Sequence, residues 1–236
     1  MVHSKNPVIT IDGASGTGKG TISQILAKQL GWKFLDSGAL YRVLAFAALK
    51  HGLSLDNANA LEAEAKKLDV HFIAEASTAS RVILEGEDVT DAIRAEKIGN
   101  AASQIGVFPA VRAALLDRQR DFRTEKGLVA DGRDMGTVVF PDAELKIFLF
   151  ASPEERALRR YKQLKERGIS VNLGDLINEL RERDKRDQER LTAPLKPAQD
   201  AIRIDTDQLS IEQVVERILS EINRKGLSCY LNLHDD

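Results

Sequence analysis

Four glycines fall within eight positions, at Gly13, Gly16, Gly18 and Gly20. They separate an apolar run, Val8-Ile9-Thr10-Ile11-Asp12, from a segment with Ile22, Ile25, Leu26 and Leu30 at helical spacing. A strand that breaks into a glycine-rich turn and resumes as a helix is the order a P-loop requires. Glycine allows successive N–H groups to turn inward as an anion-binding nest. The helix N-terminus adds unpaired N–H groups and a partial positive charge, so the turn is suited to phosphate. The whole stretch Gly13, Ala14, Ser15, Gly16, Thr17, Gly18, Lys19, Gly20, Thr21 is therefore a candidate phosphate-binding loop, with Lys19 as the point charge for the outer phosphates. Ser or Thr usually follows that lysine and reaches Mg²⁺. Here Gly20 intervenes, and the metal-side hydroxyl is assigned to Thr21.

A chain of 236 residues can bury a substantial core, and 43% hydrophobic with 30% charged residues describe an ordinary soluble protein. A net charge of −2 implies no general attraction to nucleic acid or anionic lipid. The single cysteine, Cys229, cannot form an internal disulfide, and the four histidines (His3, His51, His71, His234) lack metal-ligand spacing. No apolar core of signal-peptide length precedes the first strand, and the richest apolar stretch, Val43 to Leu49, is too short to span a bilayer. A cytoplasmic chain with neither membrane nor nucleic-acid partner is expected.

Beyond the loop, Lys33 to Asp36 reads as a second strand, Gly31 as the helix stop before it, and Asp36-Ser37-Gly38 as a polar, flexible link. The helix that follows places Leu40, Val43, Leu44, Ala47 and Ala48 on one face. Open α/β sheets put ligands at the carboxyl ends of strands, so Ser37, Tyr41 and Arg42 are either contacts to a second ligand or a capped helix with a solvated arginine. Residues 57–69 read as helix, and 70–94 as a small antiparallel insertion built from Val70–Ile73, Arg81–Glu85 and a turn with a short strand at Gly86–Val89, with a Ser/Thr/Ala loop joining the first two runs. Helical patterns return at 95–106 and 109–125.

Gly127 to Asp131 is the next strand, and it runs into Gly132-Arg133-Asp134. A strand ending in Asp is where P-loop enzymes keep the carboxylate that steadies the water shell of Mg²⁺, so Asp131 is assigned there. Arg133 is placed to grip an acceptor phosphate and Asp134 to orient either group. Leu145–Phe150 is a further strand, and Ser152-Pro153 opens a helix. Residues 153–190 carry eleven Lys+Arg and nine Asp+Glu, a balance unlike a one-sided nucleic-acid footprint. Arg156 and Arg160, four apart, share a face and are read as a lid over ATP, with a break near Gly168, Ser170 and Asn172. On the next helix Leu176 and Leu180 define the inward direction, Arg183, Asp187 and Arg190 are read within roughly 40° of it, and an apolar stripe continues as Arg, Asp, Arg. Inward charge needs a binder, either a polyphosphate or sugar hydroxyl or an internal ion-pair network. A last strand at Ala201–Asp205 and an amphipathic helix over 210–224 complete one expected domain, 1–236. The tail after Gly226 carries no readable chemistry.

These motifs together resemble the bacterial cytidylate kinases, from about Val8 to Asn223. The P-loop with Lys19-Gly20-Thr21 is shared with nucleoside monophosphate kinases generally. More specific are Leu35-Asp36-Ser37-Gly38 with Tyr41-Arg42, Ile83 to Val89, Asn100-Ala101-Ala102-Ser103, Ala130 to Thr137, and Glu182-Arg183-Asp184 through Asp187 to Arg190. Ala14 stands where proline is frequent. The resemblance implies a three-layer α/β P-loop kinase fold: a five-stranded parallel sheet with helices on both faces, a mobile monophosphate-binding region near 57–106 that includes the insertion, and an arginine-bearing lid near 153–190. It implies that Ser103, Arg112 and Arg190 recognise cytosine, that Asp187 binds the sugar, and that Arg42, Arg133 and Arg183 surround the acceptor phosphate. Lys19, Arg133, Asp134 and Arg183 become the expected catalytic set. ATP, Mg²⁺ and CMP or dCMP are the implied ligands, and a monomer is expected. A nucleotide-driven switch protein, a kinase for UMP, AMP or shikimate, and a nucleic-acid-binding module are the competing readings.

Overall fold

The computed structural model describes residues 6–73, 81–166 and 168–227. In chain order, β1 (Val8–Gly13) leads through the glycine loop to α1 (Lys19–Leu30), and β2 (Lys33–Asp36) passes straight into α2 (Ser37–Lys50). There follow α3 (Ala58–Lys67), the short strands β3 (Val70–Ile73), β4 (Arg81–Leu84) and β5 (Glu87–Asp88), then α4 (Glu96–Ile105) and α5 (Pro109–Arg120). β6 (Leu128–Gly132) and β7 (Leu145–Phe150) precede the charged helices α6 (Pro153–Glu166) and α7 (Leu173–Glu189), and β8 (Ile202–Asp205) and α8 (Ile211–Arg224) close the chain. Cys229, His3, His234 and the Ser/Thr/Ala connection after Ile73 lie outside the described residues.

The chain divides into two compact units, Met1–Asp36 with Arg120–Asp236, and Ser37–Gln119. The first is built on a parallel sheet of order β2-β6-β1-β7-β8. β1 and β6 are buried along their whole length, as expected for strands covered on both faces, and their sequences are correspondingly apolar without alternation. Ile9, Ile11, Val129, Leu145 and Leu149 of the sheet pack with Ile22 and Leu26 of α1 and with Val214, Ile218 and Ile222 of α8. Ser210 starts α8 through a capping box with Gln213, two orphan N–H groups satisfied reciprocally. α6 and α7 share a small core of Ala157, Leu164 and Leu176.

The second unit gathers the helices α2 to α5 around a core that includes Val43, Leu44, Leu61, Ile98, Ile105 and Leu115, with the antiparallel sheet β3-β4-β5 beside it. The expected insertion is therefore present as a hairpin sheet. Glu85 and Gly86, both at positive φ, make its two-residue turn between β4 and β5. The region expected at 57–106 lies within this unit, which also takes in α2 and α5.

Two boundaries differ from expectation. No flexible link separates β2 from α2, because Ser37 is already helical and its buried hydroxyl donates to Gln119 Oε1 at 2.7 Å. α5 ends at Arg120, five residues early. From that point on the arginines bind distant carbonyls: Arg120 donates to Val139 O at 3.2 Å and Arg123 to Asn6 O at 2.8 Å. His51, which sequence spacing gave no partners, stands between Glu64 and Glu85 with Nδ1 at 2.9 Å and Nε2 at 3.2 Å.

Candidate active site

The loop after β1 has the shape that phosphate binding needs. Gly13 abuts β7 so closely that a Cβ would stand 2.3 Å from Leu149 O, and Gly18 enters α1 in the left-handed region at φ 86°. Both positions exclude ordinary side chains. Thr17 is buried and donates through Oγ1 to Ala14 O at 3.0 Å. Lys19 folds onto the loop, with Nζ 3.2 Å from Ala14 O and 3.9 Å from Asp131 Oδ1. Burial lowers its pKa to about 8, and the positive charges of Arg133 and Arg183 push in the same direction against Asp131 and Asp36.

Three adjacent strands each carry an aspartate at or one residue before their last position: Asp36 on β2, Asp131 on β6 and Asp12 on β1. Asp36 and Asp131 are register partners across β2 and β6. Burial raises Asp131 to about 7, Lys19 opposes that rise, and Asp36 and Asp12 add to it as like charges. Asp131 and Asp36 offer oxygen donors of the kind a hard cation such as Mg²⁺ takes, although among the described residues the group whose ligand atoms all lie within 4.8 Å of one another is His51, Glu64 and Glu85. A Cβ on Gly20 would lie 3.2 Å from Asp131 Oδ2, so residue 20, where the hydroxyl of most P-loops stands, faces this carboxylate. Thr21, one residue on and about 100° around the helix, is exposed. The structure thus corrects the assignment of the metal-side hydroxyl to Thr21.

The stripe on α7 is present at Leu176, Arg183 and Asp187, its buried residues, but Arg190, expected to continue it, is the extended C-cap beyond the helix end at Glu189. Asp187 Oδ2 accepts from Arg133 Nε at 2.9 Å, and the neighbouring arginines 133, 183 and 190 hold its carboxyl below the usual range despite burial. Arg190 NH2 lies 3.6 Å from Asp134 Oδ1, while its Nε donates to Ala193 O at 2.6 Å. The internal ion-pair network therefore exists, and it is made from the residues expected to meet the acceptor.

In the second unit Tyr41, Ser103 and Arg112 are all buried polar residues or nearly so, at 9%, 8% and 8% exposure. The Arg112 guanidinium lies over the Tyr41 ring, 5.5 Å from its centroid, and donates to Gly106 O at 3.2 Å. Arg42 donates to Ile93 O at 3.0 Å, and a Cβ on Gly99 would touch its guanidinium at 3.2 Å. The solvated-arginine reading of Arg42 does not hold. Ser37 caps nothing and is held by Gln119.

A profile of the cytidylate kinase family matches residues 9–224. The chain belongs to the cytidylate kinase family. It is 63% identical over 225 residues to the cytidylate kinase of Pseudomonas savastanoi pv. phaseolicola, covering 95% of this chain and 98% of that one. Identity is 62% over 223 residues with the cytidylate kinase of Stutzerimonas stutzeri (94% and 97% covered) and 60% over 221 residues with that of Pseudomonas aeruginosa (93% and 96%). Membership of the cytidylate kinase family bears out the resemblance drawn from the motifs and makes the chain a phosphotransferase. The switch-protein and nucleic-acid readings lose their ground.

Against that family background one further expectation fails. Arg156 does not project from α6 as a lid residue; it is 2% exposed. Its guanidinium donates to Ala151 O at 3.1 Å, to Ser15 O at 2.9 Å and, through two nitrogens, to both carboxylate oxygens of Asp184 on α7. It is a buried strut between the loop and α7. The i, i+4 spacing with Arg160 predicted a shared face but not which way the face turns. Sequence reasoning gave no role to Asp12 or Gln119, and quoted Asp36 and Asp184 only within element boundaries and family motifs. A usable signal existed for Asp12 and Asp36: each stands at or one residue before the end of a strand adjacent to β6. Gln119 had none, since it looks like an ordinary polar helix residue, and the motif that contains Asp184 did not say that it would hold Arg156. Among the described residues no helix is long and apolar enough to cross a membrane.

Proposed function

We propose that the chain transfers the γ-phosphoryl group of ATP to CMP or dCMP, giving ADP and CDP or dCDP, with Mg²⁺ and with residue roles as follows. The observation that carries the reading is the concentration of cations about Lys19: its buried ammonium feels Arg133 and Arg183 as neighbouring positive charges. Such a group is unfavourable by itself and is relieved by more than one phosphate. The loop Gly13 to Gly20 would hold the donor phosphates, with Lys19 on the outermost and Arg160 available on α6. Arg42, Arg133 and Arg183 are assigned to the acceptor phosphate. Asp187 and Arg190 would bind the nucleoside end, Ser103 and Arg112 the cytosine, and Ser37 and Tyr41 are assigned to the same acceptor.

Asp131, with Asp36 in register beside it, would hold hydrated Mg²⁺, which supplies charge neutralisation of the phosphate tail. An oxygen of the CMP phosphate attacks the γ-phosphorus as the bond to the ADP oxygen breaks. The attacking oxygen is already ionised near neutral pH, so this chain needs no strong base. Its residues contribute alignment and positive charge. Asp134, beside Arg190, would fix the orientation of that arginine. A coupled ADP-release assay across CMP, dCMP, UMP, AMP, GMP and shikimate tests the assignment. Highest kcat/KM with CMP or dCMP is expected, whereas a preference for UMP, AMP or shikimate would overturn the acceptor assignment.

A further inference from the structure

Immediately after Asp134 the chain makes a π-helical turn over Met135–Val139, in which Phe140 N–H donates to Met135 O at 2.7 Å and Val139 N–H to Asp134 O at 3.2 Å. Helical segments begin with free N–H groups, and an aspartate in the N-cap position normally satisfies them with its own side chain. Asp134 holds the N-cap position and makes no such bond. The bonds are supplied from another strand. Asp12, at the end of β1 and 4% exposed, accepts from Met135 N–H through Oδ1 and from Gly136 N–H through Oδ2, each at 2.8 Å.

The substitution of one cap by another has a consequence for the site. The Asp134 carboxylate, relieved of capping, is placed 3.6 Å from Arg190 NH2. The packing leaves the turn no room to settle elsewhere: a Cβ on Gly136 would lie 2.8 Å from Thr10 Oγ1 on β1, and one on Gly132 2.8 Å from Met135. β1 is also the strand that delivers the phosphate loop, starting one residue after Asp12.

We infer that Asp12 is a positioning residue: by capping the Met135–Val139 turn from β1 it releases Asp134 to orient Arg190 toward the acceptor nucleotide. The inference rests on the acceptor role given above to Asp134 and Arg190. Asp12 touches neither nucleotide in this scheme and acts through Asp134.

The test is a double-mutant cycle on the full chain, with steady-state kinetics for CMP and ATP measured separately. Asp12→Asn keeps one acceptor oxygen but turns an NH2 toward the other backbone donor. It should raise KM for CMP about tenfold while KM for ATP changes less than twofold. In an Asp134→Asn background the same substitution should have little further effect, because the group it positions is gone. Equal losses for ATP and CMP, or an undiminished effect of Asp12→Asn in that background, would overturn the inference. If Asp12→Asn does not fold, Asp12→Ser takes the same test, and failure of both to fold would assign Asp12 to the fold alone. Wild-type protein inactive toward CMP would instead refute the functional reading, so the two failures are told apart.

Discussion

Two lysines, each set beside carboxylates, respond in opposite ways. Lys50, at the end of α2, has Nζ 3.1 Å from Glu85 Oε2 and 3.0 Å from Glu87 Oε2, and these hydrogen bonds raise its pKa. Lys19 lies 3.9 Å from Asp131, yet its pKa is lowered to about 8 because burial outweighs the partner. The difference lies in solvent, not in the number of charges. Around Lys50 water screens every group, and Glu85, Glu87 and His51 form a network that holds α2, α3 and the hairpin turn at the surface. Around Lys19 the charges are desolvated, and Arg133 and Arg183 oppose the effect of Asp131 and Asp36. A buried lysine on a glycine loop, with arginines among its charged neighbours, is suited to polyanions.

The largest test of that contrast is Lys19→Ala. It should lower kcat by three or more orders of magnitude, while thermal melting stays near that of wild type, since transition-state charge is lost and a buried cation removed. Retained turnover would place the exposed and buried lysines on the same footing. Asp187→Ala comes next. It leaves the buried Arg133 guanidinium without its 2.9 Å partner and should raise KM for CMP roughly 10- to 100-fold with KM for ATP little changed. Equal effects on both nucleotides would make the α7 stripe structural.

The pH dependence sharpens the comparison further. The free protein loses the Lys19 proton as pH rises through about 8, so kcat/KM for ATP should decline there. Stability moves the other way. Between about 8 and 10.5 the unfolded chain holds the lysine proton and the folded chain does not, so Lys19 makes the protein more stable as pH rises across that window. Lys19→Met should remove that slope from melting curves. The smallest effect is expected at the surface, where Lys50→Ala should leave CMP turnover unchanged and the melting temperature within experimental scatter.

The elements were legible where one principle dominates. β1, β7 and the phosphate loop follow from short, largely apolar runs and from glycine spacing, and the Arg183 and Asp187 face of α7 follows from helical geometry alone. What was hidden depends on distant parts of the chain. The start of α2 at Ser37 reflects a bond to Gln119, 82 residues away. Arg156 reads as a surface arginine until Asp184, 28 residues on, and the Ser15 carbonyl close over it. Asp12 resembles the first polar residue of a loop, and its role as a cap depends on a turn 123 residues later. Thr21 was misassigned by counting along the sequence, where the angle around α1 decides which residue meets Asp131.

The most direct measurement follows γ-labelled phosphate from ATP in the presence of CMP, in wild-type protein and in Lys19→Ala. Label should appear in CDP with the wild type and not with the variant. Label released as free phosphate, or equal transfer by both proteins, would contradict the assignment of the buried cations to paired nucleotide phosphates.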